Sequence, residues 1–271
     1  MRKVLVYAVL IVVSFFTVLP FLWMLSTSLK PMEEVFGYPP ILISPNSSLN
    51  AYKTLIANHD VLGALFNSAF IAIASTALQL AVSSAAGYAF AKFDFPGRKQ
   101  LFGVLVGSLI IPFTVLMVPL YKTLVDLDWL NSFQGVIFPA VANAFGVFFL
   151  RQYISTVNDE LLDAARIDGC SELGIFTRVV FPVIRPGLVS LGLVLFMRSW
   201  NSYLWPLVVL RSKEKQTMVI LINSLVGAFG SGTPRFDLQM AADVISIIPL
   251  LTIFVIFQRR FVEGITAGAM K

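Results

Sequence analysis

Residues 64–91 read ALFNSAFIAIASTALQLAVSSAAGYAFA, and no acidic or basic side chain occurs between Leu65 and Ala91. A transmembrane helix needs about 20 consecutive apolar residues, so this stretch is long enough to cross a bilayer. Comparable apolar stretches occur at 4–27, 101–121, 133–152, 186–208 and 239–258. The sequence therefore predicts an all-α, polytopic membrane protein with six transmembrane helices.

The composition of the whole chain agrees with this prediction. Of its 271 residues 57% are hydrophobic and only 13% are charged, whereas soluble domains average about 25% charged residues. The net charge of +5 is typical of a membrane protein whose cytoplasmic loops are rich in lysine and arginine, and nucleic-acid binding is the weaker explanation. The single cysteine, Cys170, excludes an intramolecular disulfide and a metal site built from cysteines.

The N-terminal segment predicts a first helix, and the lysines and arginines of the loops predict the orientation of the chain. Residues 1–29 begin with Arg2 and Lys3, and the apolar run that follows is too long for a signal peptide and lacks an A-x-A-like cleavage site. We expect a retained first helix. With six helices both termini share one side. The cytoplasmic side is favoured because it would hold twelve lysines and arginines against seven outside.

The long loops divide the chain further. We predict a first helix with an external segment over 1–62, a transmembrane core over 63–258 and a cytoplasmic tail over 259–271. The external segments 28–63 and 209–238 could dock a partner or merely connect helices. The prolines in 31–50 and the glycines in 227–235 predict largely irregular structure there.

The cytoplasmic loop 153–185 is longer than a connection requires and is helical in pattern. Its first half carries small and apolar side chains at Leu161, Leu162, Ala164, Ala165 and Ile167. Gly169 interrupts the pattern, and a second helix can begin at the N-cap Ser171 with Glu172 in its first turn. This helix should end before Pro182. Two short helices joined at a glycine would present a knob to a cytoplasmic partner, whose backbone the alanines would allow to approach closely.

Motifs for catalysis are absent from the sequence. There is no G-x-x-x-x-G-K-[S/T] phosphate-binding loop, so any ATP must be hydrolysed by another chain. The only histidine is His59, and no H-E-x-x-H or G-x-S-x-G pattern occurs. We therefore expect no catalytic residues, no metal site and no cofactor bound by this chain.

Ionisable residues within the predicted helices are few. Only Arg198 and Asp243 lie in such positions, and a mutually neutralising pair is a better interpretation than a proton relay. A secondary transporter or channel that works alone is a rival interpretation, but a chain with so few titratable groups disfavours it.

A group of polar and aromatic residues lies near Pro206 in the fifth predicted helix, at Asn201, Ser202, Tyr203 and Trp205. Hydroxyl, amide and aromatic groups suit a sugar, whose hydroxyls need hydrogen bonds and whose C–H faces stack on rings. They suit an interfacial aromatic belt with polar helix contacts equally well. Both interpretations stay open from the sequence.

The cytoplasmic loop 153–185 contains a sequence signature. Its residues are Asp163, Ala164, Ala165, Gly169, Val179, Phe181 and Pro182. Their spacing resembles the E-A-A-x(3)-G-x(9)-I-x-L-P pattern of permease subunits of binding-protein-dependent ABC importers. In that family the loop forms the helix that couples the permease to an ATPase. The departures are aspartate for glutamate, valine for isoleucine and phenylalanine for leucine.

Other segments are similar to the maltose-type carbohydrate branch of that family. They are residues 87–98 (GYAFAKFDFPGR), the pairs Trp200-Asn201 and Trp205-Pro206, and residues 258–271 (QRRFVEGITAGAMK). The resemblance thus extends over nearly the whole chain. It implies the type I importer permease fold in a bacterial or archaeal inner membrane, and a sugar or sugar-like solute that is moved by alternating access.

The resemblance also implies partners. They are a second, homologous permease subunit, two ATPase subunits that hold ATP and Mg, and an external solute-binding protein. A glycerol phosphate or a polyol is the alternative solute. An anionic solute would need buried cations, and Arg198 is the only candidate, so a neutral sugar is preferred.

Overall fold

The computed structural model describes the backbone of residues 2–227 and 234–269 and the side chains of residues 3–227 and 234–258. Within these ranges every regular element is helical. The α-helices are α1 (Arg2–Ser28), α2 (Met32–Val35), α3 (Asn50–Asn58), α4 (Val61–Lys92), α5 (Arg98–Gly107), α6 (Phe113–Asp126), α7 (Phe133–Val141), α8 (Ala144–Ile154), α9 (Asp159–Ile167), α10 (Glu172–Ile175), α11 (Phe181–Val183), α12 (Arg185–Trp200), α13 (Leu204–Val209), α14 (Met218–Ser224) and α15 (Phe236–Ala269).

Three of these helices are long and apolar enough to cross a membrane unaided: Lys3–Ser28 in α1, the whole of α4, and Phe236–Gln258 in α15. Three further candidates are bent helix pairs: Arg98–Ile110 with Phe113–Asp126, Phe133–Val141 with Ala144–Ile154, and Glu172–Val183 with Arg185–Trp200. If each bent pair is one span, the described residues contain up to six spans by length and composition. The predicted all-α architecture is confirmed.

The sharpest interruption of a candidate span lies at Pro112, between α5 and α6. A 3-10 turn at Ser108–Ile110 ends α5, Ile111 is extended, and Pro112 is the N-cap of α6. The two parts meet at 102°. A proline has no N–H and disfavours the helical conformation of the residue before it, which favours an interruption at this point. By contrast, Pro119 lies inside the continuous helix α6.

The chain forms two compact units. The first comprises Met1–Phe66 and Gln216–Leu251, and the second comprises Asn67–Lys215 and Thr252–Lys271. In the first unit, Leu55, Leu221 and Ala241 belong to a core of fully buried side chains. Helix α1 leaves its apolar surface bare, with Val4 72% exposed. Such a surface needs lipid or a protein partner rather than water.

The prediction that residues 31–50 are largely irregular is confirmed. They contain the four-residue helix α2, and α3 begins only at the last of them, Asn50. Most of the second predicted stretch, residues 228–233, lies outside the described part of the chain.

The second unit has two cores along α4. One surrounds Ile71 and includes Leu124 and Val209. The other surrounds Tyr88 and includes Leu150. With a rise of 1.5 Å per residue, the two centres lie about 25 Å apart along the helix.

Small residues bring α4 against α8. A Cβ atom at Gly87 would lie 3.0 Å from the backbone nitrogen of Arg151, and one at Gly146 would lie 2.4 Å from Ser83 Oγ. These contacts favour close helix packing as the reason for the small side chains in this part of the chain.

Replacing Gly87 by leucine should destabilise the protein, because the new side chain has no space between α4 and α8. Overpacking of this kind typically costs about 1–3 kcal/mol. A thermal melt of the detergent-solubilised protein should show a midpoint lower by about 2–4 °C per kcal/mol. Gly103→Leu is the matched control, since nothing lies within 4 Å of a Cβ there. Equal melting temperatures for the two variants would contradict the packing argument.

Candidate functional site

The 153–185 loop begins with a capped helix. The Asn158 side chain accepts a hydrogen bond from Glu160 N at 3.1 Å and caps α9. The carboxylates of Asp159 and Glu160 lie in the first turn, where the helix dipole favours negative charge. Leu162 and Ala165 are buried in the core around Tyr88. This face of α9 therefore fixes the helix on the rest of the unit.

Gly169 ends α9 by its conformation. Its φ is +80°, and no atom lies within 4 Å of a Cβ built there. Cys170 N donates to Ala165 O and Gly169 N donates to Arg166 O, both at 3.0 Å. This pair of bonds is a Schellman motif, which requires a left-handed residue. Glycine is thus needed for its φ and not for space.

The second helix extends further than predicted. Ser171 is its N-cap, as expected, and accepts from Gly174 N at 3.2 Å. After α10 the chain makes a π-turn at Phe176–Val180 and continues as α11, which contains Pro182. The prediction that the helix ends before Pro182 is wrong. A π-turn is wider than an α-turn and leaves room for the proline ring over the preceding carbonyls.

The remaining signature residues divide between a buried and an open side. Val179 is partly buried against the core around Tyr88, and Phe181 is 41% exposed with its ring edge-on to Phe176. Ala164 is exposed. Leu161 and Ile167, three residues before and after it on α9, are also exposed, and so is Leu173 on α10. The open side of the loop is therefore apolar around a small residue.

Charged side chains connect the two helices of the loop. Arg166 donates to Asp163 Oδ1 and to Glu172 Oε1, both at 2.8 Å. The hydrogen bond to Glu172, with that to Asp163, raises the pKa of the Arg166 guanidinium above its ordinary value. The guanidinium therefore stays charged at physiological pH and bridges the turn at Gly169.

Two residues of α4 contact the loop and were not predicted to do so. Tyr88 OH donates to Glu172 Oε2 at 3.0 Å, and Lys92 Nζ donates to Asp159 Oδ1 at 2.6 Å. The available signal was their spacing, since a hydroxyl and a cation four residues apart share one face at the end of an apolar helix.

The second candidate group surrounds an interruption between α12 and α13. Asn201 Nδ2 donates to Met197 O at 2.9 Å. The side-chain hydroxyls of Ser202 and Tyr203 make no hydrogen bond within the described part of the chain. Trp205 is buried, and its Nε1 donates to Gly135 O at 3.2 Å. The structure thus separates three accessible polar residues from a tryptophan that is packed in a core.

One residue beside this interruption was not singled out as a candidate from the sequence. Trp200 is 2% exposed, and its Nε1 is a buried donor without a partner among the described residues. A buried donor left in this condition costs about 1–3 kcal/mol. An aromatic residue at the last position of an apolar helix was the available signal.

The two ionisable residues of the predicted helices lie in different units. Arg198 belongs to the second unit and is exposed, whereas Asp243 belongs to the first. Their pairing stays a prediction. No group of three or more histidine, cysteine, aspartate or glutamate side chains that could hold a metal occurs within the described residues.

The first unit contains a polar cleft of about 610 Å³. Charged side chains line it at Lys30, Glu33, Arg235 and Asp237. Both of the long segments 28–63 and 209–238 therefore contribute to one surface.

Beside the cleft, the chain folds back onto Glu34. Its carboxylate accepts from Ser44 Oγ and, at 2.6 Å, from Asn46 Nδ2. These two hydrogen bonds lower the pKa of the Glu34 carboxyl below its ordinary value.

Acid should loosen this turn. A lowered folded-state pKa contributes stability that is complete above the ordinary value and is lost as the pH falls through the folded-state value. Between about pH 5 and pH 3, amide exchange over residues 31–48 should accelerate more in the wild type than in Glu34→Gln, whose side chain does not titrate. The rates are compared by mass spectrometry after correction for intrinsic exchange. Identical pH profiles would contradict the role of the Glu34 carboxylate.

These observations define a class: a polytopic helical membrane protein with a helical loop that offers exposed apolar side chains. The family described as "Binding-protein-dependent transport system inner membrane component" matches residues 80–267. The chain belongs to this family, and it is a transport subunit. The interpretation of the signature as that of an importer permease is confirmed.

Two relatives and one structure show how far the similarity extends. The arabinooligosaccharides transport system permease protein AraQ of Halalkalibacterium halodurans is 36% identical over 262 residues, covering 96% of this chain and 93% of AraQ. The sn-glycerol-3-phosphate transport system permease protein UgpE of Escherichia coli O1:K1 is 35% identical over 239 residues, covering 86% and 85%. A chain in the crystal structure of a bacterial ABC transporter that imports alginate has a TM-score of 0.83 at 20% identity, with 96% of each chain covered. The last similarity concerns the fold.

Proposed function

We propose that this chain is the sugar-translocating permease of an ATP-driven importer. It acts with a second, similar permease and with two ATPase subunits that hold ATP and Mg. A solute-binding protein delivers the solute from outside, and both termini lie in the cytoplasm. Transport proceeds by alternating access, in which partners shift the equilibrium by their unequal affinity for the two states.

The open side of the 153–185 loop carries this proposal. One face of α9 is buried against the unit, while Ala164 and the apolar side chains of Leu161, Ile167 and Leu173 remain exposed. A monomeric soluble surface seldom groups such side chains unless a partner covers them. The small alanine side chain suits a close approach by an ATPase subunit. The polar cleft in the first unit is the corresponding surface for the binding protein.

A neutral sugar suits the interruption between α12 and α13. Asn201, Ser202 and Tyr203 offer accessible, uncharged polar groups there. Arg198 lies one turn earlier and keeps an anionic solute such as glycerol phosphate as the alternative. Uptake assays with arabinooligosaccharides and with sn-glycerol 3-phosphate, each with wild type and Arg198→Gln, separate the two.

Gly169 provides the test of coupling. A Cβ atom at this position meets no neighbouring atom, but valine must adopt a left-handed conformation, which costs about 1–2 kcal/mol. Asparagine tolerates this conformation better. This strain shifts the conformational equilibrium of the loop about fivefold to thirtyfold, so Gly169→Val should lower ATP-dependent uptake, whereas Gly169→Asn should stay near wild type.

The readouts for Gly169 are the ATPase recovered with the affinity-purified chain and uptake into proteoliposomes. Normal uptake and assembly in Gly169→Val would refute the coupling role. Transport by the purified chain without any ATPase would establish the rival secondary transporter or channel.

Tyr203 provides the test of the solute path. Tyr203→Phe removes a hydroxyl that no described residue uses, so it should weaken solute binding by about 0.5–1.5 kcal/mol. This corresponds to a KM for uptake that is about twofold to tenfold higher, with little change in thermal stability. Trp205→Phe is the comparison, because it removes a buried hydrogen bond to Gly135 and should lower stability instead. An unchanged KM in Tyr203→Phe would remove Tyr203 from the path.

A further inference from the structure

The 153–185 loop is bonded to a helix that is remote from it in the chain. Tyr88 and Glu172 are 84 residues apart, and Lys92 and Asp159 are 67 residues apart. The loop is covalently continuous only with α8 and α12. A displacement of the loop reaches those two helices through the backbone. It reaches α4 only through side chains.

Lys92 holds the beginning of α9. Its Nζ donates to Asp159 Oδ1 and to Val157 O, each at 2.6 Å. The Lys92 side chain is 6% exposed, whereas that of Asp159 is 77% exposed. The ammonium is therefore largely removed from water, and separating it from both partners would leave a buried charge uncompensated.

Tyr88 holds the other end of α9 through an intermediate residue. Its hydroxyl donates to one carboxylate oxygen of Glu172, and the other oxygen accepts from Arg166 in the last turn of α9. The Tyr88 ring lies against Phe93 and Phe176, with centroids 5.3 Å away in both cases. Packing against these two rings restricts the position of the hydroxyl.

We propose that Tyr88 and Lys92 form a two-point clamp that makes α9 and the end of α4 move as one body. A single attachment would let α9 pivot, whereas attachments at its two ends fix its direction as well as its position. Tyr88 and Lys92 are positioning residues, since they contact neither a nucleotide nor a solute. The inference rests on the proposed function and adds that the stroke of the ATPase subunits is delivered to α4.

The first experiment measures ATP hydrolysed per solute molecule taken up. The full complex is reconstituted in proteoliposomes with its binding protein and with arabinooligosaccharides or sn-glycerol 3-phosphate, whichever the wild type transports. Tyr88→Phe keeps the ring, and Lys92→Met keeps the unbranched side chain. The double variant should assemble and hydrolyse ATP, but should use at least about fivefold more ATP per solute.

The control variants remove a tyrosine hydroxyl and a lysine ammonium at positions outside the clamp. Tyr153→Phe removes a hydroxyl that bonds to none of the described residues, and Lys99→Met removes an exposed cation. Both should keep the wild-type ratio. A wild-type ratio in the double variant would overturn the clamp and leave the proposed function intact. Failure of the wild-type complex to take up solute with ATP would overturn the proposed function and the clamp with it.

A distance measurement decides the matter if the double variant does not assemble. Spin labels at Glu160→Cys on α9 and Val82→Cys on α4, in a Cys170→Ser background, report the separation of the two helices in the otherwise unchanged complex. The separation should be the same without nucleotide and with Mg-ATP. A shift of more than about 2 Å, comparable to helix shifts in known switches, would overturn the clamp.

Discussion

Within the hydrocarbon core of a bilayer, every backbone N–H and C=O group must find its partner inside the protein. This constraint makes the described elements helical and also accounts for the points at which they stop. At the start of α8, Asn143 accepts from Gly146 N at 2.8 Å and donates to Gln79 Oε1 at 2.6 Å. At the end of α12, Asn201 donates to Met197 O. A side-chain amide thus caps α8 at the first interruption, and at the second it adds a donor to a carbonyl that the backbone N–H of Asn201 already bonds.

The same constraint explains how much of the fold could be predicted from the sequence. Six apolar stretches are visible because each must meet the thickness of a bilayer, and five of them correspond to helices or bent helix pairs. The stretch predicted over 186–208 differs, because α12 ends at Trp200 and its bent pair begins at Glu172 instead. The interruptions are less visible. Pro112 indicates a kink, but its size of 102° depends on what packs around it. Pro139 lies inside α7, whereas the interruption follows at Ala142, where no proline marks it.

The features of the 153–185 loop also differ in how well the sequence predicts them, because some depend on neighbouring residues and others on remote ones. Ser171 and Gly169 were predicted correctly because a cap and a left-handed turn depend on a few neighbouring residues. Pro182 was misjudged because the π-turn before it is rare. The bonds from Tyr88 and Lys92 bridge more than sixty residues, and no periodicity in the sequence pairs such distant positions. What the loop is attached to could therefore be learned only from the structure.

Because α4 is continuous, a displacement applied at the clamp residues Tyr88 and Lys92 can be transmitted along the helix. This helix runs for 32 residues without a proline, whereas the helices beside it are interrupted at Asn143 and Asn201. An unbroken helix conveys a displacement along its length, and an interrupted pair can instead change its bend. A displacement delivered at Tyr88 would therefore arrive undiminished at Gln79, about 13 Å away along the helix. Gln79 accepts a hydrogen bond from Asn143 at the interruption between α7 and α8. The displacement would therefore reach the membrane-spanning helices at a point where the angle between α7 and α8 can change.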